Sequence, residues 1–308
     1  MKQILVDPAR QAELIGRGFT TVPLFSADEV ATLLDAFSRL RPDDRSSARA
    51  GKPASGYHTT ILDSDFDKKR GANAIISGLA RRHIDEILVG YRVVTSGFLV
   101  KEPAGGPLNL HRDWTMTERV DDIGLNIWSP LIDVDEDNGA LRFLPGSHRL
   151  VPNIEGPNLP FYFQGYGPDL GEHSVLVPLK AGEAVIFDTT ILHGSSTNAS
   201  DRVRPAVASF CVPQDSRVVL HRLDMASGAI ERFDMEDDAY VEHGGDDFYG
   251  GAIRRPRLAP VTNRNRKVSR PEFDALLAKG DMIRRRFYAE RPTLAGWLRS
   301  AFDRASPS

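Results

Sequence analysis

Histidine and aspartate stand two residues apart at two places in this chain. One pair, His111 and Asp113, lies in "NLHRDWTMTER", and the other, His83 and Asp85, lies in "RRHIDEIL". Imidazole and carboxylate groups both bind divalent metals. Side chains at positions i and i+2 share one face of a strand, but they lie about 200° apart on a helix. The secondary structure around each pair therefore decides whether it can hold one ion.

The surrounding elements favour His111 and Asp113 as the metal-binding pair. His83 and Asp85 lie in "ANAIISGLARRHIDEILVGY", where apolar residues follow helical spacing and proline is absent, so we predict two surface positions on a helix. His111 and Asp113 follow a Gly-Pro turn and open a strand-like region. Their side chains can point together into the mouth of a barrel.

A third metal ligand is available in "AVIFDTTILHGSS", where His193 ends an apolar run typical of a strand. His111, Asp113 and His193 would form the facial triad of two histidines and one carboxylate that binds Fe(II) in non-haem oxygenases. Three protein ligands on one face of the ion leave three positions open. Two suit a chelating 2-oxo acid and one suits O₂.

A 2-oxo diacid also carries a distal carboxylate that needs a partner when it is buried. Arginine is the usual partner, because its planar fork binds a carboxylate through two hydrogen bonds. Arg202 and Arg204 share a face after His193, and Arg204 begins the next predicted strand. Ser195 could add a hydroxyl donor.

The elements around these residues predict a mainly β protein with flanking helices. Six short β-branched and aromatic runs separated by turn residues favour a sandwich or barrel; they cover residues 92–103, 123–134, 139–148, 174–180, 183–194 and 204–213. Helices are predicted over residues 25–41, where Ser26 and Glu29 form a capping box, and over 72–91, 269–291 and 293–305, with a loop over 42–71. We expect one domain over residues 1–308, with its barrel core at about 92–213 and helical or loop additions over 1–91 and 214–308.

Three segments resemble the phytanoyl-CoA dioxygenase family of Fe(II)/2-oxoglutarate oxygenases over about residues 15–213. They are "HRD", "NGALRFLPGSH" and "HGSSTNASDRVRPAVA", with an arginine eleven residues after the last histidine. The resemblance implies a double-stranded β-helix, the jelly-roll or cupin-like barrel. It implies that His111, Asp113 and His193 bind iron and that Arg204 binds the C5 carboxylate of 2-oxoglutarate. Trp128 stands where the family often has an aromatic wall of the cosubstrate pocket, and Asn126 should share its face.

The implied reaction is hydroxylation of an unactivated C–H bond of a small molecule, with Fe(II), 2-oxoglutarate and O₂, and with release of succinate and CO₂. Asp113 favours hydroxylation, desaturation or ring closure over halogenation, because related halogenases lack the carboxylate. The substrate could be an acyl, amino-acid-like or secondary-metabolite compound. Two alternatives stay open: a cupin-like enzyme that uses another divalent metal without 2-oxoglutarate, and a non-catalytic barrel that binds a partner.

Composition and charge set further limits. A single cysteine, Cys211, excludes an internal disulfide framework, and no apolar run is long enough for a membrane span, so we expect a cytoplasmic protein. Residues 251–308 carry 14 Lys and Arg against 5 Asp and Glu, which would suit an anionic or carrier-linked substrate. No interleaved basic and aromatic pattern indicates nucleic acid. Oligomeric state is not predicted.

Three other features are a long insertion, a histidine and a lysine. Residues 152–171 form a long insertion whose aromatic residues could close over substrate or pack on the barrel; these are Phe161, Tyr162, Phe163 and Tyr166. His148, in "LPGSH", is expected to make a structural hydrogen bond. Lys101, at the end of a predicted strand, is assigned no role.

Overall fold

The computed structural model of the chain describes residues 2–42, 56–119, 121–150, 153–160, 173–236 and 238–279. Five α-helices lie in these ranges: α1 (Pro8–Arg17), α2 (Ala27–Leu40), α3 (Phe66–Ile87), α4 (Gly245–Tyr249) and α5 (Arg270–Lys279). The helix predicted over 293–305 and the aromatic residues of the 152–171 insertion lie outside the described residues.

Ten strands form two antiparallel sheets. The larger has the order β1 (Phe19–Pro23), β8 (Glu183–Asp188), β5 (Leu125–Pro130), β10 (Arg204–Pro213), β3 (Tyr91–Lys101) and β2 (Tyr57–Thr59). The smaller has the order β4 (Leu108–His111), β9 (His193–Ser195), β6 (Leu141–Phe143) and β7 (Val175–Val177). All six predicted β runs contain strands, and the jelly-roll prediction is confirmed. Within the described residues the sheets form a sandwich and not one closed hydrogen-bonded barrel.

The two sheets pack face to face through their inward side chains. Phe19 of the larger sheet stacks on Phe143 of the smaller one, with ring centroids 4.6 Å apart. The same buried cluster includes Trp128, Val185 and Ala206. Because side chains alternate along a strand, the other face of the larger sheet carries a second apolar layer. Helices α1 to α3 cover that layer.

Helix α2 begins where the sequence predicts. The Ser26 side chain accepts from the Glu29 backbone, and the Glu29 carboxylate accepts from the Ser26 backbone, which completes the capping box. Helix α3 begins at Phe66 with Asp65 as its N-cap, and β2 and a 3-10 turn lie over residues 57–62, so the loop predicted over 42–71 was wrong for both segments. The capping carboxylate compensates for a first turn that is rich in charge and poor in apolar residues.

The segment after the sandwich differs from the sequence prediction. Residues 214–308 were expected to add helices and loops, but residues 219–261 form an antiparallel sheet of β11 (Val219–Leu223), β12 (Ile230–Asp234) and β13 (Arg257–Val261). Apolar side chains from this sheet and from α4 pack on the sandwich around Met116 and Val212. Helix α5 confirms the described part of the helix predicted over 269–291. No described helix has the length and apolarity that crossing a membrane requires.

Candidate active site

His111 and His193 lie directly opposite each other on the paired strands β4 and β9. Their ring centroids are 4.4 Å apart. The Nδ1 atom of His111 donates to the Asn109 carbonyl at 2.9 Å, and the Nδ1 atom of His193 donates to the Ile191 carbonyl at 3.1 Å. Each hydrogen bond fixes the tautomer that leaves Nε2 with a lone pair, which is the arrangement metal-binding histidines use.

Asp113 completes the group. Its Oδ1 atom lies 3.9 Å from Nε2 of His111 and 3.7 Å from Nε2 of His193. Its Oδ2 atom accepts a 2.8 Å hydrogen bond from Asn126 Nδ2, so one carboxylate oxygen is oriented and the other faces the two imidazoles. The Asp113 backbone N–H donates to the Thr189 carbonyl, which holds this part of the chain against the end of β8.

One ligand atom from each of the three residues lies within 4.8 Å of the other two. Desolvation lowers the pKa of His193 to about 4, so its imidazole is neutral at physiological pH and can donate a lone pair. Two imidazoles and one carboxylate suit Fe(II) and leave coordination positions open. The competing pair is separated from this site: His83 contacts Glu29 across the α2–α3 packing, and Asp85 is exposed.

Arg204 begins β10 and is fully enclosed between the sheets. Only 1% of its surface is exposed, and its Nε and Nη1 donors make no hydrogen bond among the described residues. Its guanidinium lies 5.3 Å from the centre of the Trp128 ring, so Trp128 is both a core residue and a wall of this space. Desolvation lowers the pKa of Arg204 to about 10, and the group stays charged at neutral pH.

Lys101 brings a second cation to the same space, which the sequence interpretation missed. It lies opposite Arg204 in the register of β3 and β10 and is completely buried. Its Nζ donates to Ser195 Oγ at 2.7 Å and to the Ser196 carbonyl. Desolvation, followed by the charge of Arg204, lowers its pKa to about 7. Among the described residues neither cation forms an ion pair with a carboxylate, so the space is built for an anion.

Tyr57 lies on the other side of Lys101 in the register of β2 and β3. Burial raises the pKa of Tyr57 above its usual range, so its hydroxyl stays a neutral donor. We call the group of Arg204, Lys101, Ser195 and Tyr57 the anion subsite. Because Ser195 Oγ already accepts from Lys101 Nζ, its hydroxyl hydrogen is available to an anion.

The Asn-Gly step that precedes β6 makes room for the anion subsite. Gly139 has φ +91°, and a Cβ there would lie 3.0 Å from Lys101 Cδ and 3.7 Å from Arg204 Nε. The element Asn198-x-Ser200 holds the turn before Arg204, because Asn198 Nδ2 donates to the Arg202 carbonyl at 2.8 Å. Arg202 itself is exposed, which resolves the choice between the two arginines in favour of Arg204 as the buried one.

The matching family model, phytanoyl-CoA dioxygenase, covers residues 17–206 and so includes every residue of the triad and of the anion subsite. This is more than half of the chain. The chain belongs to the phytanoyl-CoA dioxygenase family. The C-terminal sheet and helices α4 and α5 lie beyond the matched residues.

Two curated relatives share about 30% identity with parts of this family member. A probable alpha-ketoglutarate-dependent hypophosphite dioxygenase of Stutzerimonas stutzeri is 28% identical over 152 residues, which are 46% of this chain and 53% of the relative. A phytanoyl-CoA dioxygenase domain-containing protein 1 of Danio rerio is 31% identical over 127 residues, which are 38% of this chain and 43% of the relative. The matches therefore span about half the length of these relatives.

Solved structures support the fold of the family member. The alpha-ketoglutarate-dependent carbocyclase SnoK from nogalamycin biosynthesis superposes with a TM-score of 0.51 at 18% identity, over 69% of this chain and 86% of the other. The epimerase SnoN from the same biosynthesis gives a TM-score of 0.51 at 23% identity, over 84% of this chain and 97% of the other.

The structural hydrogen bond predicted for His148 is present. His148 is buried and its Nε2 contacts the Ile15 carbonyl at 3.1 Å, so it does make the expected hydrogen bond.

An aromatic group flanks the triad: Trp114, immediately after Asp113, packs edge-on against Phe248 of α4 at 5.4 Å. Trp114 and Phe210 are half-buried members of this apolar cluster. No feature of the sequence had indicated α4 as part of the site's surroundings.

Proposed function

We propose that this chain is an Fe(II)- and 2-oxoglutarate-dependent dioxygenase that hydroxylates an unactivated C–H bond of a small molecule and releases succinate and CO₂. The observation that carries the proposal is the pairing of two sites within one sandwich. A triad suited to Fe(II) lies beside a buried subsite whose two cations have no carboxylate partner among the described residues.

His111, Asp113 and His193 would hold the iron through two Nε2 atoms and one carboxylate oxygen. Iron bound there with 2-oxoglutarate and O₂ supplies the oxidising power for C–H hydroxylation. Asn126 positions Asp113 through its 2.8 Å hydrogen bond. The backbone carbonyls of Asn109 and Ile191 keep the Nδ1 protons in place and aim both imidazoles inward.

The anion subsite would take the C5 carboxylate of 2-oxoglutarate. Arg204 offers two unpaired donors, and Lys101 adds a second positive charge. Burial strengthens both interactions, because the low local dielectric weakens charges less than water does. A carboxylate there would also remove the cost of two neighbouring buried cations. A metalloenzyme that does not use a 2-oxo diacid has no need of such a subsite, which argues against the cupin-like alternative.

For the substrate, we propose only its class, a small molecule. The curated hypophosphite dioxygenase and the nogalamycin enzymes act on unrelated compounds by their names, so neither identifies the substrate of this chain. The anionic or carrier-linked substrate suggested by the basic segment 251–308 stays a prediction, because residues 280–308 lie outside the described residues.

The test is succinate formation by protein that has been reconstituted with Fe(II) under anaerobic conditions and then given 2-oxoglutarate, ascorbate and O₂. Slow turnover without added substrate is expected in the wild type and should be lost in His111→Ala. His83→Ala is the matched control, since it removes the histidine of the helical pair His83 and Asp85 and should leave the rate unchanged. Equal rates in His111→Ala and the wild type would refute the proposed triad.

A further inference from the structure

Thr115, two residues after Asp113, is held between the 153–160 loop and strand β11. Its backbone N–H donates to the Glu155 carbonyl at 3.0 Å, and its hydroxyl accepts from the Glu155 backbone N–H at 3.0 Å. Its own carbonyl accepts from Nδ1 of His221, on β11, at 2.8 Å. Two residues span at most about 7 Å, so this junction lies next to the proposed iron ligand.

The side chains of Glu155 and His221 are both buried there and both incompletely bonded. Glu155 is 5% exposed and His221 is 1% exposed. Oε1 of Glu155 and Nε2 of His221 make no hydrogen bond among the described residues. Since Nδ1 of His221 donates to Thr115, its Nε2 is an acceptor. Oε1 of Glu155 and Nε2 of His221 therefore each have a lone pair that can accept from a hydrogen-bond donor.

The loop that carries Glu155 is fixed to β11, so this arrangement is preformed. Asn158 bonds both the N–H and the carbonyl of Leu223, at 2.8 and 3.0 Å. Gly156 lies so close to the His221 backbone that a Cβ would fall 2.2 Å from its carbonyl oxygen. The two acceptors are thus held in place by backbone contacts and not by contact with each other.

The charges nearby decide which kind of donor fits. Burial raises the pKa of Glu155 to about 7, although the charge of Arg112 opposes this shift. Burial also lowers the pKa of His221 to about 4, and the charge of Arg232, its partner in the β11–β12 register, acts in the same direction. Two guanidinium groups beside the acceptors disfavour a cationic ligand, since like charges repel strongly when they are buried. A neutral hydroxyl donates without adding a charge.

We propose that Glu155 and His221 form a recognition site for hydroxyl groups of the substrate, with each acceptor taking the hydrogen of one hydroxyl. The proposal rests on the proposed oxygenase function, because the junction at Thr115 lies two residues from the proposed iron ligand Asp113. The half-buried Trp114 and Phe210 supply apolar surface for the rest of the substrate. His221 lies beyond the residues that the family model matches, whereas Glu155 lies within them, so the site joins the matched part of the chain to the C-terminal sheet.

Stability measurements separate this role from a structural one. A buried polar group with no partner costs folding free energy, and an apolar group of similar shape removes that cost. Glu155→Met should therefore melt at or above the wild-type temperature, and so should His221→Asn, whose amide keeps a donor for the Thr115 carbonyl. If both variants melt several degrees lower, the two side chains belong to a structural network, and the proposal fails.

Ligand titration tests the site in the wild-type chain itself. The probes are 4-fluorobenzyl alcohol, 4-fluorobenzylamine and 4-fluorotoluene, followed by ¹⁹F NMR with the Fe(II)- and 2-oxoglutarate-supplied protein. The alcohol should bind at least about tenfold more tightly than the toluene, which corresponds to one net hydrogen bond. The double variant Glu155→Met/His221→Asn should lose that preference, whereas Glu242→Met, at an exposed glutamate, should keep it.

Two results would overturn the assignment. Equal binding of alcohol and toluene would show that no hydroxyl site exists, and tighter binding of the amine would show that the site selects a cation. The charge-transfer absorption of Fe(II) with 2-oxoglutarate is recorded in the same samples. Its absence would refute the proposed function, while the comparison of the three probes would still decide the hydroxyl site.

Discussion

Lys101 and Arg204 lie opposite each other on neighbouring strands, and both are buried without a carboxylate partner among the described residues. Among the described residues, Lys101 Nζ donates to Ser195 Oγ and to the Ser196 carbonyl, and the Arg204 guanidinium lies over the Trp128 ring. Two adjacent buried cations destabilise an empty site, because each is desolvated and each repels the other. The same arrangement gives the proposed cosubstrate a strong electrostatic reason to bind.

Arg204→Ala should raise the 2-oxoglutarate concentration needed for half-maximal succinate formation by about 30-fold or more, as expected when a buried charge-paired donor is removed. Arg202→Ala is the matched control, because Arg202 is exposed two residues earlier. Steady-state kinetics over a range of 2-oxoglutarate concentrations measure the change. A similar effect of both variants would contradict the assignment of the anion subsite.

The affinity for 2-oxoglutarate should depend on pH through Lys101. Its pKa is lowered to about 7 in the empty site, and a bound carboxylate would raise it, so binding takes up a proton above pH 7. Affinity should therefore fall as pH rises from 7 to 9, by at most about tenfold per pH unit. Lys101→Met should bind more weakly and lose most of this dependence. Lys180→Met, at an exposed lysine, should keep the wild-type profile.

Asn126 should control iron affinity although it is not a predicted ligand. Asn126→Ala removes the hydrogen bond that orients Asp113, and loss of such a partner typically weakens metal binding by about 10- to 100-fold. Competition with a chelator of known Fe(II) affinity measures the change. Asn158→Ala, which removes an amide from the 153–160 loop, is the control. Unchanged affinity in Asn126→Ala would mean that Asp113 is oriented by other contacts.

Gly139→Ala should harm both folding and the anion subsite. The positive φ is strained for alanine, and the new methyl group would press on Lys101 and on the Ser196 carbonyl at 3.0 and 3.3 Å. We expect a loss of about 1–3 kcal/mol in the free energy of unfolding. Gly78→Ala is the control: it lies in α3 with open space at its Cβ and should stabilise by up to about 1 kcal/mol. Urea denaturation measures both.

The triad could be predicted from sequence because two of its members, His111 and Asp113, lie only two residues apart in the chain. His111 and Asp113 need only a strand-like segment to share a face, whereas His193 begins β9, a separate strand that pairs with β4 at His111. Lys101 could not be found in this way. A lysine at the end of a strand is usually exposed, and only the register of β3 against β10 places it beside Arg204.

The C-terminal sheet escaped prediction for a related reason. Strands β11 and β12 mix apolar residues with His221, Arg222 and Arg232, so their alternation is weak, and the turn at Gly228 between them is short. Their burial depends on packing against Met116 and Val212 of the sandwich, which no local pattern encodes. The hydroxyl site proposed for Glu155 and His221 depends on the same long-range packing.

The central claim is that the triad and the anion subsite act together on one cosubstrate, and its most direct test is a spectroscopic titration. Fe(II) protein is titrated anaerobically with 2-oxoglutarate while the metal-to-ligand charge-transfer absorption is recorded. We predict a saturable band in the wild type, no band in His111→Ala, and a band at much higher 2-oxoglutarate concentration in Arg204→Ala. A wild-type protein that binds Fe(II) but develops no band at any 2-oxoglutarate concentration would contradict the account.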